Sequence, residues 1–363
     1  MHRWQISPVV CVFLWSAGLD VQGQQAVVSD LGGIEAVDFQ LSPSRDLEAD
    51  VSQGLVDLPT LSRPAKRKVG APSGERSPFS SQAYWLPTQN LASQPGNWSQ
   101  AGTEIKLAAP LSLAEGNVWL ATGGVQYTSI NTLAVLPDSL IAMPGELWQI
   151  QTGVMNFREW DNGWSSGTIL TVGSDSDQPF AALRDMTATV VTFVEIPRGD
   201  RDAWNLSVFY SPTSQLPYPL PGVAYVWRPS DQFTANLGVP FSLHYRPTET
   251  FTLTASYFPL TNVDVLAKWQ LNEDWSLYGG YQVVNETYWL DERLDENQRL
   301  YLFDQRVTLG LQRKLFAGLS LDLSGGYVFD RQVFQSDSFS DNRRDEIDID
   351  PGFLGLVQLS WAL

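Results

Sequence analysis

Arg299-Leu-Tyr-Leu-Phe-Asp-Gln-Arg-Val-Thr-Leu-Gly-Leu-Gln-Arg-Lys314 alternates with a period of two. Tyr301, Phe303, Val307, Leu309 and Leu311 share one face, while Asp304, Arg306, Thr308, Gln312 and Lys314 share the other. Successive side chains of a strand point to opposite sides of its sheet, so this segment sets charges and large apolar groups in different solvents. The division recurs upstream, where Val263, Val265, Ala267, Trp269 and Leu271 oppose Asp264, Lys268 and Gln270. It recurs downstream, where Leu319, Leu321, Leu323, Tyr327 and Phe329 oppose Asp322 and Asp330, and again through Phe353 to Leu363.

A soluble sandwich also alternates, so strand length and aromatic placement must decide. The runs 232–245, 274–289, 299–314 and 317–332 match or exceed the roughly 9 to 11 residues that cross a bilayer at a tilt. Four strand ends share an aromatic-x-Pro signature: Tyr210-Ser-Pro212, Trp227-Arg-Pro229, Tyr245-Arg-Pro247 and Tyr257-Phe-Pro259. Proline ends a ladder, and the aromatic before it suits the headgroup level of a membrane barrel. With Trp361 in the last strand, these form an expected rim of aromatics. No segment past the N-terminus offers 18 consecutive apolar residues, and a closed barrel is the spanning structure that needs none.

Composition removes much other chemistry. The chain has 363 residues, 14 Trp, one cysteine, two histidines and a net charge of −17. Cysteine zinc sites, disulfide frameworks and multi-histidine metal centres are excluded, as is a basic nucleic-acid-binding face. Residues 1–23 read as a cleavable signal peptide, with His2 and Arg3 ahead of an apolar run from Ile6 to Ala17. Residues 24–78 hold one aromatic, Phe39, and read as a disordered tail; 79–363 form the barrel domain.

The reading is thus all-β: an antiparallel up-and-down transmembrane barrel of about 12 to 14 strands. Links near 315–318, 272–273 and 246–249 are short, and those near 290–298 and 333–351 are long and acidic, which places the acidic loops on the cell exterior. Glu286 is grouped with Asp291, Glu292, Asp295 and Glu296 in the first of them. Thr132 to Pro144 reads as an insertion, a helical turn or a plug. Paired glycines at 123–124, 279–280 and 325–326 suit strand coiling under a neighbouring tyrosine.

Gly163-Trp-Ser-Ser-Gly167 matches a nucleophile elbow in letters, but Thr168 to Gly173 continues as a strand where an elbow needs a helix. No catalytic residue, metal site or cofactor is expected. The lumen-facing candidates are His244, Arg246, Asp264, Lys268, Asp304, Arg306, Lys314, Asp322 and Asp330. Their mixed signs allow either an interior laced with ion pairs or a conducting pore.

Pro221-Gly-Val-Ala-Tyr-Val-Trp-Arg-Pro-Ser-Asp-Gln-Phe233 with Asn236-Leu-Gly-Val-Pro240, Asp161-Asn-Gly-Trp164 and Gly325-Gly-Tyr-Val-Phe-Asp-Arg331 resembles a bacterial family catalogued only as a domain of unknown function, with outer-membrane-type β architecture. The resemblance covers about 80–363 and brings no catalytic or binding residues with it. The signal, the absent helices, the long alternating strands and the rim aromatics together point to an outer-membrane location with membrane lipid as a partner, and Trp361 with the apolar alternation gives the C-terminal strand the character that the barrel-assembly machinery reads. That strand closes on Leu363 in place of the usual Phe. The functional expectation is a passive channel or a structural envelope protein. A soluble secreted or periplasmic ligand-binding barrel is the rival, and a lipid-modifying barrel enzyme the third reading.

Overall fold

The computed structural model describes residues 78–361, apart from 115, 213–217, 259–261, 294 and 338–342. The expected signal and tail, residues 1–77, lie outside the described residues. Strands follow in chain order: β1 (Phe79–Asn90), β2 (Asn97–Ala114), β3 (Asn117–Thr132), β4 (Glu146–Glu159), β5 (Ser165–Ser176), β6 (Met186–Arg198), β7 (Asp202–Tyr210) and β8 (Leu220–Ser230). Then come β9 (Phe233–Gly238), β10 (Phe241–Thr248), β11 (Phe251–Phe258), β12 (Asn262–Gln270), β13 (Trp275–Tyr288), β14 (Arg299–Lys314), β15 (Leu319–Ser336), β16 (Arg344–Ile349) and β17 (Gly352–Trp361).

From β1 to β16 each strand pairs antiparallel with the next, and β17 pairs with β15 on one side and β1 on the other, so the sheet closes. β15 takes β17 along residues 319–328 and β16 along 331–335. The result is a closed barrel of sixteen strands plus the short β16. Following the register once round returns to β1 about 18 residues away, a shear that for sixteen strands means a tilt of about 40°.

The strand count exceeds the expected 12 to 14. One cause is the run 232–245, which is two strands: Val239-Pro240 breaks it between β9 and β10. Pro240 has no N–H for a ladder, and a Cβ on Gly238 would collide with the Val223 carbonyl. The prolines of two aromatic-x-Pro signatures also behave differently from expectation. Pro229 and Pro247 lie inside register shifts, between Trp227 and Ser230 and between Tyr245 and Thr248, where the ladder skips a donor.

The two faces separate by solvent. Along β14, Asp304, Arg306 and Thr308 are buried, whereas Val307 and Leu309 are 50% and 63% exposed. Charges bury on the inside of a closed sheet, and the apolar face is left on the outside. Tyr210, Trp227, Tyr245, Tyr257 and Trp361 are all exposed. Trp227, Tyr245 and Trp361 lie toward the short-turn end, and Tyr210 and Tyr257 toward the other. Two tyrosines do cover bare glycines, though not the paired ones: Tyr84 lies over Gly102 and Tyr278 over Gly310, where a Cβ would strike the ring.

Loop lengths split by end. Two to five residues join strands at the end that also holds Phe79 and Trp361, whereas the other end carries the long connections 133–145, 177–185 and 289–298. Strand lengths split by side. β2, β3 and β13–β15 run 14 to 18 residues, and β7 and β9–β12 only 6 to 9. One wall therefore rises well beyond the apolar band on the long-loop side, and the other stops near its edge.

Candidate functional site: a pinched and strapped lumen

The tall wall is filled from within. At its long-loop end Leu91, Trp98, Ile130, Leu147, Tyr288, Leu300, Leu302, Val333 and Ile347 form a buried apolar cluster. Loop 133–145 folds into it, contributing Ala134, Leu136 and Met143. Asp345 fixes that loop, accepting from the N–H groups of Asp138 (2.7 Å) and Ser139 (2.8 Å), while the Asp345 N–H donates to Asp138 Oδ2 (2.8 Å). Of the three readings for Thr132 to Pro144, the plug is the one this geometry fits.

Below the plug lies a polar layer. Gln100 Nε2 donates to Tyr84 Oη (3.0 Å), which is also hydrogen-bonded to Thr128 Oγ1 (3.1 Å). Gln126 Nε2 donates to Glu286 Oε1 (3.1 Å), and Tyr288 Oη donates to Glu286 Oε2 (2.9 Å). The Gln126–Glu286 contact has a global consequence. A round barrel of sixteen strands at this tilt is roughly 30 Å across, and β3 and β13 stand six places apart. Two side chains together reach about 10 Å, so the cross-section is pinched between β3 and β13. Glu286 belongs to β13 and is buried, which corrects its assignment to an acidic loop.

A second tie crosses the mouth. β5 and β13 are eight places apart, on opposite sides of the circuit, yet Ser176 and Trp289 form a parallel bridge. Trp289 N–H donates to the Asp175 carbonyl (2.8 Å). Loops 177–185 and 289–298 then lock through Arg293 Nη1 and Asp185 Oδ1 (3.0 Å), with side chains 1% and 0% exposed. The Arg293 guanidinium also lies over the Trp289 ring. Asp291 N–H donates to Asp177 Oδ1 (3.0 Å), and burial pushes the Asp177 carboxyl above its ordinary pKa despite that bond.

The candidates from the sequence distribute unevenly around this arrangement. Asp304 and Arg306 form a two-point buried pair (2.6 and 2.9 Å) in the pinched half. Asp322 accepts from Tyr278 Oη (2.6 Å). Asp264 accepts from Gln282 Nε2 (2.8 Å), and Lys268 Nζ donates to Gln312 Oε1 (2.6 Å). His244 is half-buried, in register between Thr234 and Thr254. Arg246 and Lys314 sit at the short-turn rim, Arg246 donating to the Glu249 carbonyl (3.2 Å) and Lys314 exposed. Asp330 departs from expectation. A bulge between Phe303/Gln332 and Gln305/Phe329, with Asp330 at φ 51°, turns its carboxylate to the outward face, where Gln305 Nε2 donates to it (2.7 Å). Arg331 takes the buried side in its place.

Gln126, Tyr84, Gln100, Asp185 and Arg293 carry the ties and were not singled out in the sequence. The alternation Gln100, Gly102, Glu104, Lys106 in β2 was the available signal, since Glu104 and Lys106 pair inside the barrel (3.0 Å). Among the described residues no three His, Cys, Asp or Glu side chains converge as metal ligands. A strand, β5, follows Gly163, so the nucleophile elbow is not formed.

A family model described as a domain of unknown function, DUF6268, matches residues 94–343. No curated protein matches the chain. Among solved structures, an outer membrane channel from Pseudomonas putida F1 aligns at TM-score 0.37 and 9% identity, over 82% of this chain and 100% of that one. The translocator domain of the autotransporter NalP from Neisseria meningitidis aligns at 0.31 and 9%, over 78% and 88%. OccK7 from Pseudomonas aeruginosa aligns at 0.34 and 9%, over 78% and 98%.

Proposed function

The chain belongs to the DUF6268 family of unknown function, and from that premise we propose that it is an outer-membrane β-barrel acting as a narrow passive channel, exported by its N-terminal signal. The Gln126–Glu286 tie across the lumen carries this reading. It separates a lobe filled by the plug cluster from a second lobe bounded by β3 to β13, in which Ile169, Val191 and Phe209 pack along the β5–β7 wall. In that second lobe the inward His244, Asp264 and Lys268 keep partial exposure. This polar stretch of inner face along β10 and β12, in contact with water beneath an apolar outer belt, suits a small aqueous conduit. The outward apolar band speaks against the soluble ligand-binding rival, whose outer face would carry charges.

Planar-bilayer recording of the refolded protein tests this. The expected result is a small unitary conductance of weak ion selectivity, since the lining signs are mixed. Replacing 133–145 by a short Gly-Ser turn unplugs the packed lobe and raises it. No current from either form, or equal conductance from both, overturns the proposal. Recovery of the chain as a soluble periplasmic monomer overturns the membrane reading itself.

A further inference from the structure

At the short-turn end, the β6–β7 turn and the end of β8 border a shallow, open depression of about 300 Å³ lined by Arg198, Arg201, Arg228, Asp200, Asp202 and Trp227. Trp227 borders it from the outward face, and Arg228 from the inward one, where it meets Glu195. Trp204 and Trp227, in exposed outward positions, flank it, and Trp204 packs edge-on against Tyr225. Arg198 and Arg201 of the β6–β7 turn meet Arg228 of β8 here, among the carboxylates Asp200, Asp202, Asp231 and Glu195, of which Asp231 pairs with Arg201 and Glu195 with Arg228.

Two of the charges build the wall. Arg228 Nη2 donates to Glu195 (3.0 Å) and Nη1 to the Arg201 carbonyl (3.1 Å). Asp202 accepts from the Arg228 N–H (2.9 Å) and from Tyr225 Oη (2.7 Å), pinning β8 where its register shifts. The other two arginines are committed only in part. Arg201 commits Nη1 to the exposed Asp231 (2.9 Å), and the Arg198 guanidinium lies 5.9 Å from the Tyr225 ring centroid. A guanidinium fork matches phosphate oxygens in pairs, and tryptophans mark the depth where acyl chains give way to headgroups.

We propose that this concavity binds the headgroup phosphate of a membrane glycerophospholipid. Arg198 and Arg201 donate to the non-bridging oxygens, and Trp227 packs against the glycerol end of the acyl chains. The proposal rests on the membrane reading above. The phosphate diester of phosphatidylglycerol is the committed ligand, and the phosphate monoester of lipid A is the competing source of the same chemistry.

Native mass spectrometry of the detergent-solubilised barrel, incubated with equimolar phosphatidylglycerol, phosphatidylcholine and lipid A, reads the outcome. One phosphatidylglycerol is expected to be retained per chain in preference to the other two. The R198A/R201A variant lowers that retention at least about tenfold, the scale set by two cations at a membrane surface. R198K/R201K keeps part of it. R313A/K314A, which removes two charges elsewhere on the same rim, leaves it unchanged. Equal retention by R198A/R201A and wild type, or preferential capture of lipid A, overturns the assignment. A heat-modifiable barrel that inserts normally and shows no such preference refutes this inference alone, whereas a chain that never inserts refutes the membrane reading.

Discussion

The Asp185–Arg293 pair sets a quantitative test of the strap. Both side chains are out of water, and the pair joins loops that spring from opposite sides of the barrel. Asp185 has a second donor in the Ala182 N–H (3.1 Å). Arg293 has the Leu290 carbonyl (2.7 Å), but its Nε and Nη2 have no partner. Removing one member of such a pair strands a buried charge, at a cost of about 3 to 5 kcal/mol. At 1.4 kcal/mol per factor of ten, that is about a hundredfold to a few thousandfold in the local opening equilibrium. D185L or R293M alone should therefore speed amide exchange across 177–185 and 289–298 by that factor. Exchange in β11 and β12, remote from the strap, should stay as it was. The double variant D185L/R293M strands no charge and loses a guanidinium that was only half satisfied, so it should return close to wild type. Hydrogen exchange read by mass spectrometry resolves both segments. Additive single effects in the double variant, or singles with unchanged exchange, would refute the claim that this pair latches the mouth.

Three further outcomes follow from the same geometry. Because burial holds the Asp177 carboxyl above its ordinary pKa, the closed strap binds a proton more tightly than the open one. The strap is then firmest at acid pH and loosens as pH rises through the shifted value. Intrinsic-rate-corrected exchange of 177–185 should quicken from pH 4 to pH 7, and D177N should flatten the profile. L309R puts a charge on the outward face of β14, which costs about 2 to 4 kcal/mol near the bilayer midplane. Urea titration of folding into vesicles should show that loss, while T254R on the inward face of β11 folds near normally. Q126L/E286L removes both members of the cross-lumen tie, and planar-bilayer recording should show a higher and noisier conductance as the pinch relaxes.

How much was legible follows from where the two faces of a strand meet different surroundings. In β12, in the lower half of β14 and in β17, one face is apolar and turned outward and the other faces the interior, so period two survives and the strands read directly. Above the apolar band that contrast vanishes. Leu300 and Leu302 pack in the plug cluster, while Tyr301 between them is also buried, stacked 4.9 Å from Phe334. A stretch apolar on both faces carries no signal about which side is inside, which is why the upper wall and its contents went unread. Acidity misleads in a related way. Counted as charge, Glu286 and Asp345 belong to acidic segments that read as solvated rim, and nothing local marks Asp185 apart from them, whereas Asp304 reads as inward from its alternation. All four are buried, each with a donor supplied by a segment remote in sequence or by a neighbouring arginine. Whether a carboxylate is a loop charge or a tie depends on a partner such as Gln126, 160 positions away and uncharged. The register that brings Gln126 and Glu286 together is a property of the whole circuit, built from sixteen pairings and their shifts. No local window contains it, so the barrel could be read from its strands while the division of its lumen could not.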